Sequence, residues 1–276
     1  MTTERGRGMD ADTDDGKVVP FPLTWAGEKR QIVSFGGGGF SMESGNTLLD
    51  HYVLSLTGKE RPRVCFVPTA SGDADHYIVR FYRAFSPERC EPSHLSLFRR
   101  DRGGAGGDLR EFLLSQDLIY VGGGSVLSLL GTWRAHGIDS ILAEAWRAGV
   151  ILCGLSAGSL CWYSQGVTSF HGEVKLVRGL GLLPWSNCVH YGSKQGPKDA
   201  YHRLLRRGMC PGYAAEDGSA LHFRGSRLHE VVASRPEARA WCVGDRGDRV
   251  IETALPTRYL GVDAAAGPGA GLHAVA

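Results

Sequence analysis

VILCGLSAGSLCWYSQG, residues 150–166, is the stretch on which the reading of the chain turns. Val150, Ile151 and Leu152 form a short apolar run without helical period, the pattern of a buried strand. From Ala157 to Gln165 the residues are small or helix-compatible, and Gly166 supplies a stop, so the segment reads as strand, tight turn and helix. Gly154 and Gly158 stand two residues on either side of Ser156. In a G-x-S-x-G elbow, small neighbours allow a sharp turn that pushes the serine oxygen into the open. The free N–H groups of the following helix would face the same point and stabilise negative charge there. Ser156 is therefore a candidate nucleophile, although the same letters also describe a turn whose serine only caps a helix.

Working outward, strands and helices alternate. QIVSF leads through a glycine run to a helical segment around TLLDHYVLSL, and RVCFV is followed by HYIVRFYRAF. SHLSLF precedes the loop RRDRGGAGGD and a short helix at LREFLLS. DLIYV leads through GGG into two helical segments, SVLSLLGTWRAHG and DSILAEAWRAG, and then to the strand carrying the elbow. Repeated strand–turn–helix units imply an α/β fold, with a mostly parallel sheet and helices on both faces. Ligands of such sheets bind beyond the carboxyl ends of the strands, where VGGGS and CGLSAGS both fall. The later stretch ALHFRGSRLHEVVASRPEARAWCVGDRGDRVIETAL alternates apolar and polar residues around tight turns and reads as an antiparallel C-terminal extension of the same domain. Residues 1–29 are read as a mobile arm, 30–262 as one α/β domain and 263–276 as a flexible tail.

Composition narrows the function classes. The 276 residues are 42% hydrophobic, enough for one large core, and 31 basic against 29 acidic residues give a formal net charge of +2. No single-sign field argues for nucleic acid or a membrane surface, and no apolar run approaches the roughly 18 residues of a bilayer span. The amino terminus lacks an apolar signal region. The seven cysteines sit mostly in apolar segments with no C-x-x-C pair, which implies free buried thiols in a reducing cytoplasm and no structural zinc.

A nucleophilic serine needs a base, a group that orients the base, and an oxyanion hole. Of the ten histidines, His190 stands out, because it ends the strand-like segment LGLLPWSNCVHYG and so faces the same sheet edge as Ser156. His171, in SFHGE, is the rival by proximity, while His51, His76, His94, His136, His202, His222 and His229 fall on structural patterns. Glu216 and Asp217 lie just before another strand, and the residues alone leave open which of them orients the base. The glycines of VGGGS let backbone N–H groups approach a substrate oxygen, with the Ala157 N–H as the other donor. The earlier run SFGGGGFSME lacks the acidic residue expected about 20 positions after a dinucleotide loop, since Asp50 sits in a helical pattern. No G-K-[ST] follows either, so Gly37 and Gly38 read as a strand-end turn lining the pocket.

The order GGGGFSM, VCFVPTASGD, YVGGG, GLSAGSLCW, GLGLLPWSNCVHY and EDGSAL resembles the peptidase E family, serine peptidases related to aspartyl dipeptidase. The resemblance runs from about residue 31 to about 255 and implies a class I glutamine-amidotransferase-like fold, a Ser-His-acid triad, and no metal or cofactor. It implies Ser156 as nucleophile, His190 as base, and Gly124 and Ala157 as oxyanion donors. It favours Asp217 over Glu216 as the acid, because DGSAL resembles the family's acid-x-Thr-Ala-Leu pattern. Three pocket positions depart from the family: Ser125 stands where Asn is common, Thr168 and Ser169 replace a T-D-S run, and Gly192 stands where Asp often follows the histidine.

The resulting expectation is a serine peptidase of short peptides with a free amino terminus, in which no preference for amino-terminal Asp is assumed. Lys194, Lys198 or Arg203 could supply the cation such a preference needs, but their run reads better as a solvated helix start. Other readings are a peptidase that trims one precursor or peptide-linked natural product, and a binding protein that has kept the fold without turnover. The partner expected is a short peptide, with no nucleic acid and no membrane; a homodimer is left open.

Overall fold

The computed structural model describes residues 28–99, 107–170, 172–193, 196–247 and 249–261. Apart from residues 28, 29 and the segment ends, the expected amino-terminal arm and carboxyl-terminal tail lie outside these residues, as does His171. The chain first runs through β1 (Gln31–Phe35), α1 (Leu48–Ser55), β2 (Arg63–Val67), α2 (Asp75–Ala84) and β3 (Glu91–His94). It continues through α3 (Leu109–Leu114), β4 (Leu118–Val121), α4 (Val126–His136), α5 (Ile138–Ala148), β5 (Ile151–Leu155) and α6 (Ala157–Leu160). Then come β6 (Tyr163–Thr168), β7 (Lys175–Val177), β8 (Leu183–Cys188), α7 (Lys198–Leu205) and β9 (Gly212–Ala215). The described chain closes with β10 (Ser219–Arg224), β11 (Arg227–Ala233), β12 (Ala240–Asp245), β13 (Val250–Ala254) and β14 (Thr257–Tyr259).

Eight strands form the main sheet in the order β14-β11-β10-β1-β5-β4-β2-β3. The strands β1, β5, β4, β2 and β3 are parallel, whereas β10 pairs antiparallel with β1 and β11 with β10. Side chains alternate across a strand, and the sequence uses both sets. Cys65, Val67, Ile119 and Val121 enter one core with Leu129 and Trp133 of α4 and Leu142 of α5. Val64, Phe66, Leu118 and Tyr120 enter the other, with Leu49 and Val53 of α1 and Ile78 and Phe81 of α2. Helices therefore cover both faces, and each fully buried large apolar side chain contributes about 1.5–3 kcal/mol.

The sheet order places the site. Because β1, β5 and β4 are parallel neighbours, the turns after them, at Gly36, Ser156 and Gly122, share one edge. Since β10 runs antiparallel to β1, its start brings Asp217 and Gly218 to that same edge.

One expectation is corrected. The helix after the elbow ends at Leu160, not Gln165, and Tyr163–Thr168 is strand β6. Residues 157–163 are all buried, so the segment has no solvent face on which an amphipathic helix could continue. The carboxyl-terminal extension is antiparallel in its main pairings, as expected, and it serves both sheets. β10 and β11 do extend the main sheet, but β12 and β13 join a second sheet, β13-β12-β9-β8-β6-β7. It meets the first where Tyr163 and Tyr213 contact Phe223 edge to face, at 6.0 and 5.3 Å.

Candidate active site

Ser156 holds φ 52° and ψ −112°, a conformation rarely adopted by a residue with a side chain and costing about 1–3 kcal/mol. Its neighbours enforce it. A Cβ on Gly158 would overlap the Val121 carbonyl oxygen, and one on Gly154 would come within 2.7 Å of the same atom, so both elbow glycines are fixed by close backbone approach. Ser159 ties the short helix to β1 through a 2.5 Å contact between its Oγ and Ser34 Oγ, and the Tyr163 hydroxyl donates to Ser34 Oγ at 2.9 Å. With α6 only one turn long, the donors it offers are local, the Ala157 N–H foremost, and not a helix macrodipole.

His190 Nε2 lies 3.1 Å from Ser156 Oγ, and His190 Nδ1 lies 2.5 Å from Asp217 Oδ1. A proton on Nδ1, donated to Asp217, leaves Nε2 as acceptor for the serine hydroxyl. The backbone carrying the two side chains is held by the first glycine run: the His190 backbone N–H donates to Gly36 O at 3.1 Å, and the Gly218 N–H to Gly37 O at 2.9 Å. A Cβ on Gly37 would overlap Asp217 Oδ1 and reach 3.0 Å from His190 Cε1, so the first glycine run packs against the pair. Glu216 turns elsewhere. Its Oε2 accepts the Arg239 N–H at 3.0 Å, and a Cβ on Gly192 would overlap its Oε1. Asp217, not Glu216, is the carboxylate against the imidazole.

The second glycine run packs beside the elbow. Gly122 N–H donates to Val67 O, Gly123 N–H to the Tyr77 hydroxyl and Ser125 N–H to Ala70 O, at 3.1, 3.1 and 2.8 Å. Gly124 has φ 139°, open only to glycine, and a Cβ there would overlap Ala70 O. Ser125 is 4% exposed, and its Oγ caps α4 by accepting from the Ser128 N–H at 3.2 Å. Thr168 is buried at the end of β6, where its Oγ1 accepts from the Phe170 N–H at 3.5 Å. Gly38, with Met42 Sδ 3.3 Å from its N–H, faces Glu43 and not the triad.

Two clefts border these residues. One, of about 350 Å³, is lined by Tyr191, Gly192, Lys198, Asp199, Glu216 and Trp241 among others. The other, of about 690 Å³, includes Ser125 in its wall. Of the cations weighed for an acidic substrate, Lys194 lies outside the described residues and Lys198 pairs with Glu252 at 2.8 Å. Arg203 is exposed on α7.

Two features had no sequence signal. Glu43 pairs with Arg235 at 2.7 Å and accepts from Ser234 Oγ at 2.6 Å, bracing Gly38 against Gly218. Asp50 is 2% exposed beneath the first glycine run, with its Oδ1 3.1 Å and the Tyr120 hydroxyl 2.9 Å from where a Gly39 Cβ would stand. Burial pushes its carboxyl up to about 7, the Phe40 N–H pulls it partly back, and the Glu43 charge adds to the rise.

Among the described residues, His222, His229 and Glu230 bring three ligand atoms within 4.8 Å of one another. They do not fit a cation. His222 Nδ1 is 2.6 Å from the Tyr52 hydroxyl and its Nε2 2.9 Å from Gln31 Oε1, while Arg258 binds Glu230 at 2.9 Å.

Residues 32–231 match the family model described as Peptidase family S51. Over 233 residues the chain is 46% identical to the protein named Uncharacterized peptidase YgaJ of Bacillus subtilis (strain 168), covering 84% of this chain and 100% of that one. It is 28% identical over 212 residues to Peptidase E of Streptomyces coelicolor, covering 72% of this chain and 83% of that one. The crystal structure of a peptidase from an acI-B1 Actinobacterium aligns with a TM-score of 0.62 at 19% identity, over 82% of this chain and 94% of that one, and so shares the fold. The family match spans the elbow, the histidine and the acid pair, and the chain accordingly belongs to peptidase family S51, the family of peptidase E, and is a peptidase.

Proposed function

We propose that this peptidase is of the serine type and hydrolyses short peptides, recognised by their amino-terminal residue, through an acyl-enzyme on Ser156. The observation that carries this reading is the continuous relay from Ser156 Oγ to His190 Nε2 at 3.1 Å and from His190 Nδ1 to Asp217 Oδ1 at 2.5 Å. As Oγ attacks the scissile carbonyl carbon, His190 Nε2 takes the hydroxyl proton. Asp217 keeps the imidazole in the required tautomer and stabilises the imidazolium. The carbonyl oxygen gains negative charge between the Ala157 N–H and the Gly124 N–H. His190 then gives its proton to the leaving amine, breaking the C–N bond and leaving the ester. A water that loses its proton to His190 hydrolyses the ester and restores Ser156.

The test is incubation with a mixed library of short peptides, read by mass spectrometry, with Ser156→Ala run alongside. Cleavage by the wild type, with loss on the order of a million-fold in the variant, is the expected result. Equal cleavage by both, or cleavage blocked only by metal chelation, would sink the reading.

A further inference from the structure

Four polar side chains are buried together beneath the elbow. Ser34 of β1, Ser159 of α6, Tyr163 of β6 and Asn187 of β8 are each 0% exposed, and the other three meet at Ser34 Oγ. The Tyr163 hydroxyl donates to that atom at 2.9 Å, and Asn187 Nδ2 at 3.4 Å. A serine hydroxyl offers two lone pairs and one proton. Both lone pairs are taken here, so the Ser34 proton goes to Ser159 Oγ, 2.5 Å away.

Each arm of this network ends three residues from a reacting group. Ser159 follows Ser156 by three, and its backbone N–H donates to Ser156 O at 3.0 Å. Asn187 precedes His190 by three, on the strand that leads to it. Ser34 stands two residues before Gly36, whose carbonyl oxygen accepts the His190 backbone N–H at 3.1 Å. Gly154, opposite Ser34 in the register, lets α6 come close, since a Cβ there would stand 2.5 Å from Gly158 O.

Ser156 and His190 are two of the three non-glycine residues with positive φ among the described residues, at 52° and 55°. Such conformations persist only where the surroundings over-determine them. Packing alone would be served by apolar side chains, and the network carries a cost that they would avoid. Asn187 Oδ1 is buried without a hydrogen-bond partner. What apolar contacts lack is direction, whereas hydrogen bonds in a dry interior select one arrangement.

We propose that Ser34, with Ser159, Tyr163 and Asn187 as its partners, is a positioning residue for the reaction: the network sets the separation of Ser156 Oγ from His190 Nε2. The inference rests on the reading of Ser156 as nucleophile and deepens it, by naming what holds the nucleophile and its base in register.

The test reads the nucleophile independently of the peptide preferred. With an alkyl fluorophosphonate, Ser156 Oγ bonds to phosphorus, fluoride leaves, and His190 takes the hydroxyl proton. The rate at saturating probe and the half-saturating concentration are followed by intact mass, with Ser156→Ala as the blank. Ser34→Ala and Tyr163→Phe are expected to slow the saturating rate about 10- to 100-fold and to change the half-saturating concentration less than about threefold, because a displacement of about 1 Å costs on the order of 100-fold. Ser186→Ala is the control for a merely structural loss. Ser186 neighbours Asn187 on β8 and is equally buried, but its Oγ turns the other way, to the Tyr201 hydroxyl of α7 at 2.7 Å. It should lower the thermal midpoint as the others do and keep the rate within about twofold of wild type. If Ser34→Ala does not fold, Tyr163→Phe, which keeps the ring, decides. Folded variants that react at the wild-type rate, or a Ser186→Ala slowed as much as they are, overturn the network and spare the serine peptidase. A wild type that takes no phosphonyl group on Ser156 overturns both.

Discussion

Asp217 Oδ1 lies 2.5 Å from His190 Nδ1, although the two side chains arrive from different sheets. His190 follows β8 of the six-stranded sheet, and Asp217 precedes β10 of the eight-stranded one. Their meeting depends on the first glycine run, which accepts the His190 N–H at Gly36 O and the Gly218 N–H at Gly37 O. Replacing the acid should leave this backbone clamp in place and remove only the charge. Asp217→Asn is expected to lower kcat about 10,000-fold, because the amide favours the wrong imidazole tautomer. Glu216→Gln keeps an oxygen for the Arg239 N–H and should cost less than about tenfold. Steady-state kinetics of the two variants decide it, and a larger loss in Glu216→Gln would reverse the assignment.

Gly37 gives a second test, of position and not of charge. An added methyl would overlap Asp217 Oδ1 and press on the His190 ring, and the relay must move to admit it. A displacement of about 1 Å costs on the order of 100-fold in rate. Gly37→Ala is therefore expected to lower kcat by about that factor with a smaller change in KM. A chemical-shift change of the His190 ring protons would locate the disturbance. Full activity in Gly37→Ala would mean that the loop does not brace the pair.

Asp50 links the same loop to pH. Its carboxyl rises from an ordinary 3.8 to about 7 through burial first, so between those values the folded chain holds a proton that the unfolded chain has lost. Stability from this group is therefore present at low pH, declines as pH rises toward 7, and has reached its lower plateau above that. Asp50→Asn removes the titration. The stability difference, variant minus wild type, should grow from pH 4 to pH 7 and then level off, as read from denaturant midpoints across that range. A difference independent of pH would show that the Asp50 carboxyl titrates in the folded chain as it does in the unfolded one.

The parallel core and the elbow were legible because each rests on a local pattern. Cys65 and Phe66, or Ile119 and Tyr120, announce by alternation that both faces of their strands are covered. Gly154 and Gly158 announce the turn that only they permit. β6 was not legible, because residues 157–163 are buried without interruption and carry neither period. The choice between Glu216 and Asp217 was also beyond local pattern. Two adjacent carboxylates point to opposite sides, and the backbone N–H of Arg239, 23 residues away, takes up the first of them. The larger cleft joins residues as distant in sequence as Thr69 and Phe170, so it emerges only from the fold.

Ser125 separates a pocket role from a structural one. The family resemblance sets Ser125 among the pocket positions, yet its Oγ accepts from both the Ser128 N–H at 3.2 Å and the Ser128 hydroxyl at 3.0 Å, the arrangement of an N-cap for α4. Loss of such a cap costs about 0.5–2 kcal/mol, whereas loss of an oxyanion donor costs about 100 to 1,000-fold in rate. The backbone N–H of the neighbouring Gly124 remains when Ser125 is replaced, because α4 and the Ala70 carbonyl still hold the loop. Ser125→Ala is expected to lower the unfolding free energy by about 1 kcal/mol, seen as a lower denaturant midpoint at unchanged slope, while kcat falls less than about tenfold. A stable variant with kcat reduced 100-fold or more would instead place the Ser125 hydroxyl on the reacting oxygen.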